Sequence, residues 1–232
     1  MPIATRGFRA MDILVTGGTG YVGSRLIPRL LERGHRVRAL ARAGSENKVP
    51  AGATPVTGDA LVAESVAGAL RAGDTLVHLV GTPHPSPRKA AEFERVDLAS
   101  IRASVDAGKR VGISHLVYVS VAHPAPVMHA YVAVRTAGEA LIRDSGISAT
   151  VLRPWYVVGP GHRWALALVP LYGIARLLSP TRAGAMRLGL VTLEQMVGAL
   201  TIAVESPPPP RGVRIIEVPE IRSLRTPPQP SS

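Results

Sequence analysis

The chain has 232 residues, of which 46% are hydrophobic and only 4% aromatic, with no cysteine and a formal charge of +11. That length suits one domain, or one domain with a small lobe, and the core must be built from Val, Leu, Ile and Ala, as suits a parallel sheet covered by helices. Disulfides and thiolate metal sites are excluded, and no apolar run of about eighteen residues offers a membrane span.

Residues 1–10 have no apolar segment of the kind a secretory signal needs and are expected to be a disordered lead-in. Asp12–Thr16 is a short apolar run ending at glycines and reads as a buried strand. Residues 21–33 carry apolar side chains at helical spacing and stop at Gly34. A strand at 36–41 and another at 53–56 follow, the latter leading to Gly58-Asp59. Helix 61–71, strand 74–80, helix 90–110 and strand 115–120 continue the alternation. Helix 129–144 closes at Gly146, and strand 148–153 ends at Pro154. This βαβ order predicts a doubly wound parallel α/β sheet, a Rossmann fold, spanning 11–225. Beyond Pro154 the composition shifts to Trp, Tyr, Leu, Pro and Arg, which predicts a small cap at about 155–190. Helix 192–205, a proline linker at 207–210 and a strand at 213–218 complete the domain. The polar, Pro-rich stretch 226–232 reads as a disordered tail.

The sharpest motif is Thr16-Gly17-Gly18-Thr19-Gly20-Tyr21-Val22-Gly23, between a predicted strand and a predicted helix. Gly17 allows a sharp turn, Gly20 a close approach of backbone to a pyrophosphate, and Gly23 close packing of the helix. Free N–H groups at a helix start, together with the helix dipole, favour anionic phosphates. Thr19, Tyr21 and Val22 therefore join the three glycines as candidate dinucleotide-binding residues. The second strand ends near the position of an adenosine ribose, where an acidic residue would suit the 2′-hydroxyl of NAD. No Asp or Glu lies between 36 and 45; Arg38 and Arg42 stand there instead, and a guanidinium can pair with the 2′-phosphate of NADP. NADP is thus the expected cofactor, with NAD as the alternative, and a solvated surface arginine is the plainer reading of Arg42.

TGGTGYVG at 16–23, GD at 58–59, YVSV at 118–121 and LRPWYVVGPG at 152–161 resemble the atypical and extended short-chain dehydrogenase/reductases. The NmrA-like group and the NAD(P)H-binding accessory subunit of respiratory complex I are the nearest in character. The resemblance covers about residues 11–218. It implies that Asp59 bonds the adenine amino group with Ala60 beside it, and that Leu79, Val80 and Gly81 line the adenosine and ribose. It further implies that Ser120 lies near the nicotinamide and Pro154 flanks the ring. Asp59 also reads as an ordinary turn aspartate.

A reductase of this family pairs a tyrosine with a lysine four residues on. Tyr131 occupies the matching place, but Arg135 stands where the lysine would be. The two share a helix face, so Arg135 is expected to reach both the ribose and Tyr131, although an arginine does not give up its proton. The expected catalytic set is Tyr131 as acid/base, Ser120 polarising the substrate oxygen and Arg135 positioning the ribose. Tyr131 as a helix tyrosine without chemistry is the alternative, and a non-catalytic NADP(H)-binding regulator or assembly subunit then follows. His84, His123 and His129 lie near the same edge without metal-ligand spacing, and no metal is expected. Asp97 and Glu139 read as ordinary helix pairs or caps.

Residues 162–187 are apolar and basic with no acidic residue. They suit a cap over an apolar small-molecule substrate, in a pocket lined by Trp155, Tyr156, Trp164 and Leu168. A protein partner or an anionic membrane surface is the alternative. The basic charge is scattered and lacks a reading helix or an aromatic stacking motif, so no nucleic acid is expected. The cytoplasm is the default location, with peripheral membrane attachment through 162–187 as the alternative.

Overall fold

A computed structural model describes residues 10–160 and 188–224 of the chain. Strands β1 (Asp12–Thr16), β2 (Arg36–Ala41), β3 (Thr54–Thr57), β4 (Thr75–His78), β5 (His115–Val119), β6 (Ala149–Arg153) and β9 (Val213–Glu217) form one sheet. Their order is β3-β2-β1-β4-β5-β6-β9, and every pairing is parallel. This is the doubly wound order anticipated from the alternation, with one strand added beyond β6. Two further strands, β7 (Tyr156–Val158) and β8 (Leu190–Thr192), pair parallel in a separate ribbon. They bracket the predicted cap, whose residues 161–187, including Trp164 and Leu168, lie outside the described residues.

The period-2 geometry of a strand sorts the core into two layers. Ile13 and Val15 of β1 face one cluster with Leu26, Ile27 and Leu30 of α1 (Gly23–Glu32). Met196, Leu200 and Val204 of α5 (Leu193–Glu205) complete that layer. Leu14 faces the other, with Val66 of α2 (Ala63–Ala69), Ile101 of α3 (90–111) and Ile142 of α4 (His129–Ser145). Aliphatic side chains supply nearly all of both layers, as the low aromatic content requires. A short α6 (Val218–Ser223) follows β9.

Several boundaries differ from expectation for local reasons. The β4 strand stops at His78 rather than Val80, because the Gly17 backbone lies against Leu79 and Val80. Helix α2 starts at Ala63, leaving Leu61 and Val62 exposed. Helix α3 is not regular: Phe93–Leu98 widens into a π-turn, which apolar periodicity does not reveal. Among the described residues no helix is long and apolar enough to cross a membrane.

Candidate functional site

All seven strands of the main sheet point the same way, so their C-terminal ends share one edge. The switch point lies between β1 and β4, where Thr16 pairs in register with His78. In open α/β sheets this crevice is where ligands bind. The β1–α1 turn sits on it. Gly17 has φ +75°, and a Cβ there would fall 2.8 Å from the Leu79 carbonyl carbon. A Cβ on Gly23 would collide with the carbonyl oxygen of Gly17. Gly18 is also tight, 2.8 Å from Ile27 Cδ1, a constraint that the spacing of the other three glycines did not express. Thr19 and Gly20 are exposed at the crest, with Tyr21 and Val22 half-buried behind them. Helix α1 has no side-chain cap on Val22 and no acidic residue in its first turn. Its N-terminus therefore offers positive dipole and backbone N–H groups to an anion. This is a cradle that a Cβ would fill, and its shape and charge fit a dinucleotide pyrophosphate.

The edge at the end of β2 is sorted by partnership. Arg38 does not extend there: its guanidinium is taken by Asp74 at 2.5 Å and by the Ala69 carbonyl, beneath the sheet edge. Its even place in β2 turns it inward with Leu40, which removes it as a phosphate partner. Arg42 follows β2 and is exposed. Glu46, one residue beyond the acid-free stretch 36–45, accepts a bond from Thr57 Oγ1 at 2.8 Å. Backbone N–H groups of its own loop, foremost its own, and the Thr57 hydroxyl hold it below the usual carboxylate range. Asp59 is exposed, with one carboxylate oxygen accepting from Leu61 N at 2.9 Å, and Ala60 is half-buried beside it. Leu79, Val80 and Gly81 continue half-buried from the end of β4.

The other side of the crevice is a buried side-chain network. Tyr131 lies in the first turn of α4, half-buried, with its ring 4.9 Å from Phe93. The Arg135 guanidinium stacks 5.1 Å from that ring and 5.8 Å from Tyr118. Arg135 is only 5% exposed. It donates to Asp97 Oδ1 at 2.5 Å and to the Val119 carbonyl at 2.8 Å, and it presses against Gly81, where a Cβ would collide with it. Burial opposes its charge, but Tyr131, Tyr118 and Asp97 outweigh that and hold the guanidinium firmly protonated. Its Nε has no hydrogen-bond partner among the described residues. Asp97, on the π-turn of α3, also accepts from Thr82 N at 2.9 Å and Thr82 Oγ1 at 2.6 Å. It thereby ties α3, α4 and the loop after β4 together.

Ser120, just past β5, is buried and donates to Glu139 Oε1 at 2.6 Å. Pro154 is buried, and its carbonyl accepts from Ala122 N at 2.9 Å. Thus Asp97 and Glu139, read from sequence as ordinary helix pairs, are the two acids that fix Arg135 and Ser120. Nothing in the spacing marks them except their i+4 relation along α4 in the case of Glu139. Beneath the site His78 bonds Thr16 Oγ1 (3.1 Å) and Ser104 Oγ (3.0 Å), with its other ring nitrogen 3.3 Å from Ser100 Oγ. Burial, and then the Arg135 charge, push its pKa down to about 3, so it is neutral. His84 and His129 are exposed, and His123 lies 3.4 Å from Glu139. Among the described residues no group of acids and histidines is arranged to hold a metal.

Residues 17–162 match a protein family described as NAD(P)H-binding. The chain belongs to that family, of the atypical short-chain dehydrogenase/reductase type. It is 26% identical over 197 residues to a ceramide reductase of Caulobacter vibrioides, covering 84% of this chain and 61% of that protein. It is 28% identical over 150 residues to the photosystem II assembly factor Ycf39 of Cyanophora paradoxa, covering 62% of this chain and 44% of that one. The chain thus spans about three-fifths or less of these relatives. Its fold matches the Bordetella bronchiseptica enzyme WbmH in complex with NAD+ with a TM-score of 0.65 at 21% identity, over 85% of this chain and 73% of that one.

Proposed function

We propose that the chain is an NADP(H)-dependent oxidoreductase acting on a carbonyl or alcohol of an apolar small molecule. The observation that carries this reading is the stacking of Tyr131 on the Arg135 guanidinium, on the far side of the crevice from the glycine turn. When bound, the nicotinamide supplies or accepts the hydride. Gly17, Thr19, Gly20, Tyr21, Val22 and Gly23 would hold its pyrophosphate. Asp59, Ala60, Leu79, Val80 and Gly81 would line the adenosine side, and Pro154 the ring. Arg42 would pair with the 2′-phosphate. The Glu46 carboxylate is drawn toward Thr57 and its own loop, which supports Arg42 as the charge that meets the ligand. Tyr131 would pass its phenolic proton to the substrate oxygen, and the guanidinium beside its ring would stabilise the negative charge left behind. Arg135 would position the ribose from behind the Gly81 backbone it presses against. Trp155 and Tyr156, both half-buried at the start of the cap, support an apolar substrate, as does the ceramide reductase relative. Peripheral attachment of a cytoplasmic protein through 162–187 remains part of the proposal.

A second reading has its own support. Arg135 is bound by Asp97 and by a main-chain carbonyl, and an arginine cannot return a proton as a lysine can. A non-catalytic NADP(H)-binding assembly subunit would keep the turn and need no proton donor, and one relative is an assembly factor. Titration with NADPH and NADH, followed by NADPH consumption with a 3-ketosteroid and a long-chain 3-oxoacyl ester, separates the two. The enzyme reading predicts tighter NADPH binding and consumption with at least one ketone. Tight binding with no consumption selects the second reading, and no binding of either cofactor contradicts both.

A further inference from the structure

Tyr131, Arg135 and Glu139 recur every four residues on α4. Arg135 turns toward Asp97, whereas Glu139 turns toward the ends of β5 and β6. Glu139 is 2% exposed. Its Oε1 accepts from Ser120 Oγ at 2.6 Å and from Arg153 Nε at 2.9 Å, and its Oε2 accepts from Arg153 Nη2. His123 Nε2 stands 3.4 Å from Oε1 and Arg143 Nη2 3.9 Å from Oε2. Burial works against the charge, but the bonds from Arg153 and Ser120 prevail and hold the carboxyl below the usual range, so it is ionised at neutral pH.

An ionised carboxylate only accepts hydrogen bonds, and a serine hydroxyl has one proton to give. The Ser120 proton is therefore committed to Glu139, and what Oγ offers a ligand is its lone pairs. We propose that Glu139 is a positioning residue that holds Ser120 as a hydrogen-bond acceptor, so that the ligand group facing Ser120 is a donor: the hydroxyl of an alcohol rather than the oxygen of a ketone. This reverses the polarity expected of Ser120 from sequence and leaves Tyr131, among the described residues proposed to act on the substrate, as the donor to a carbonyl. It rests on the oxidoreductase reading and names the substrate form that the site holds best.

The test measures two unreactive complexes: the alcohol with enzyme and NADPH, and the ketone with enzyme and NADP+. The probes are a ketone consumed in the panel above and its alcohol. Ser120→Ala is expected to weaken the alcohol about tenfold and change the ketone by no more than about twofold. Glu139→Leu, which removes the acceptor and so releases the serine proton, is expected to lower the alcohol-to-ketone affinity ratio by about tenfold as well. In the Ser120→Ala background it is expected to leave the ratio where it is, since the coupling runs through Ser120. A Glu139 that merely braces Arg153 would weaken both ligands alike in both backgrounds, and that result overturns the inference. An unchanged ratio in Ser120→Ala overturns it too, and decides the matter alone if Glu139→Leu does not fold. If no ketone consumes NADPH, the oxidoreductase reading fails first and the inference with it.

Discussion

At the β1–α1 turn the crevice is made of backbone, whereas along α4 it is made of buried charged side chains. The turn works by absence: Gly17 and Gly23 stand where any Cβ would meet main-chain atoms. The α4 side works by pairing: Arg135 and Glu139 are buried charges, each fixed by partners from other elements. A backbone constraint of the first kind is local and tolerates almost nothing but glycine. A network of the second kind depends on residues far away in sequence and is costly to leave half-made. Under the proposed function, holding a cofactor and acting on it would therefore be separable properties of this crevice.

The largest expected effect tests the network. Asp97→Asn leaves the Arg135 charge buried without its acid and is expected to cost about 3–5 kcal/mol in denaturant unfolding. A change below about 1 kcal/mol would mean the pair is not buried as described. Next, His78 is neutral and buried between the two regions, with its pKa pushed down to about 3. Because the folded state resists a proton that the unfolded chain accepts, its contribution is fully present above about pH 6.5. It is lost as pH falls toward 3, amounting to about 3 kcal/mol by pH 4. His78→Gln is expected to flatten that part of the stability–pH curve, and an unchanged slope would contradict it. On the backbone side, Gly17→Ala is expected to cost about 2 kcal/mol through strain and crowding, and to weaken NADPH binding at least about tenfold. Smallest is Arg42→Ala, expected to weaken NADPH about tenfold while sparing NADH. Equal loss for both cofactors would remove Arg42 from the 2′-phosphate.

The same contrast explains what the sequence disclosed. β1 and β2 were legible to the residue, because each is a short apolar run stopped by a turn. The glycine turn was legible because its demand falls on the glycines themselves. Arg38 looked equivalent to Arg42 until Asp74 claimed it, a partner 36 residues away. Asp97 read only as an ordinary helix pair or cap, because a π-turn shifts its face inward and no apolar periodicity registers one extra residue in a helical turn. Glu139 carried one local clue, its i+4 place after Arg135, but its partners Ser120 and Arg153 belong to strand ends that only the sheet brings together.

The most direct measurement compares Tyr131→Phe with the wild type in two assays on the same preparation: NADPH titration and NADPH consumption with a ketone. The account predicts unchanged NADPH affinity, with consumption lowered by at least about a hundredfold. Unchanged consumption, or loss of NADPH binding along with it, would contradict the separation of a turn that holds the cofactor from a helix that uses it.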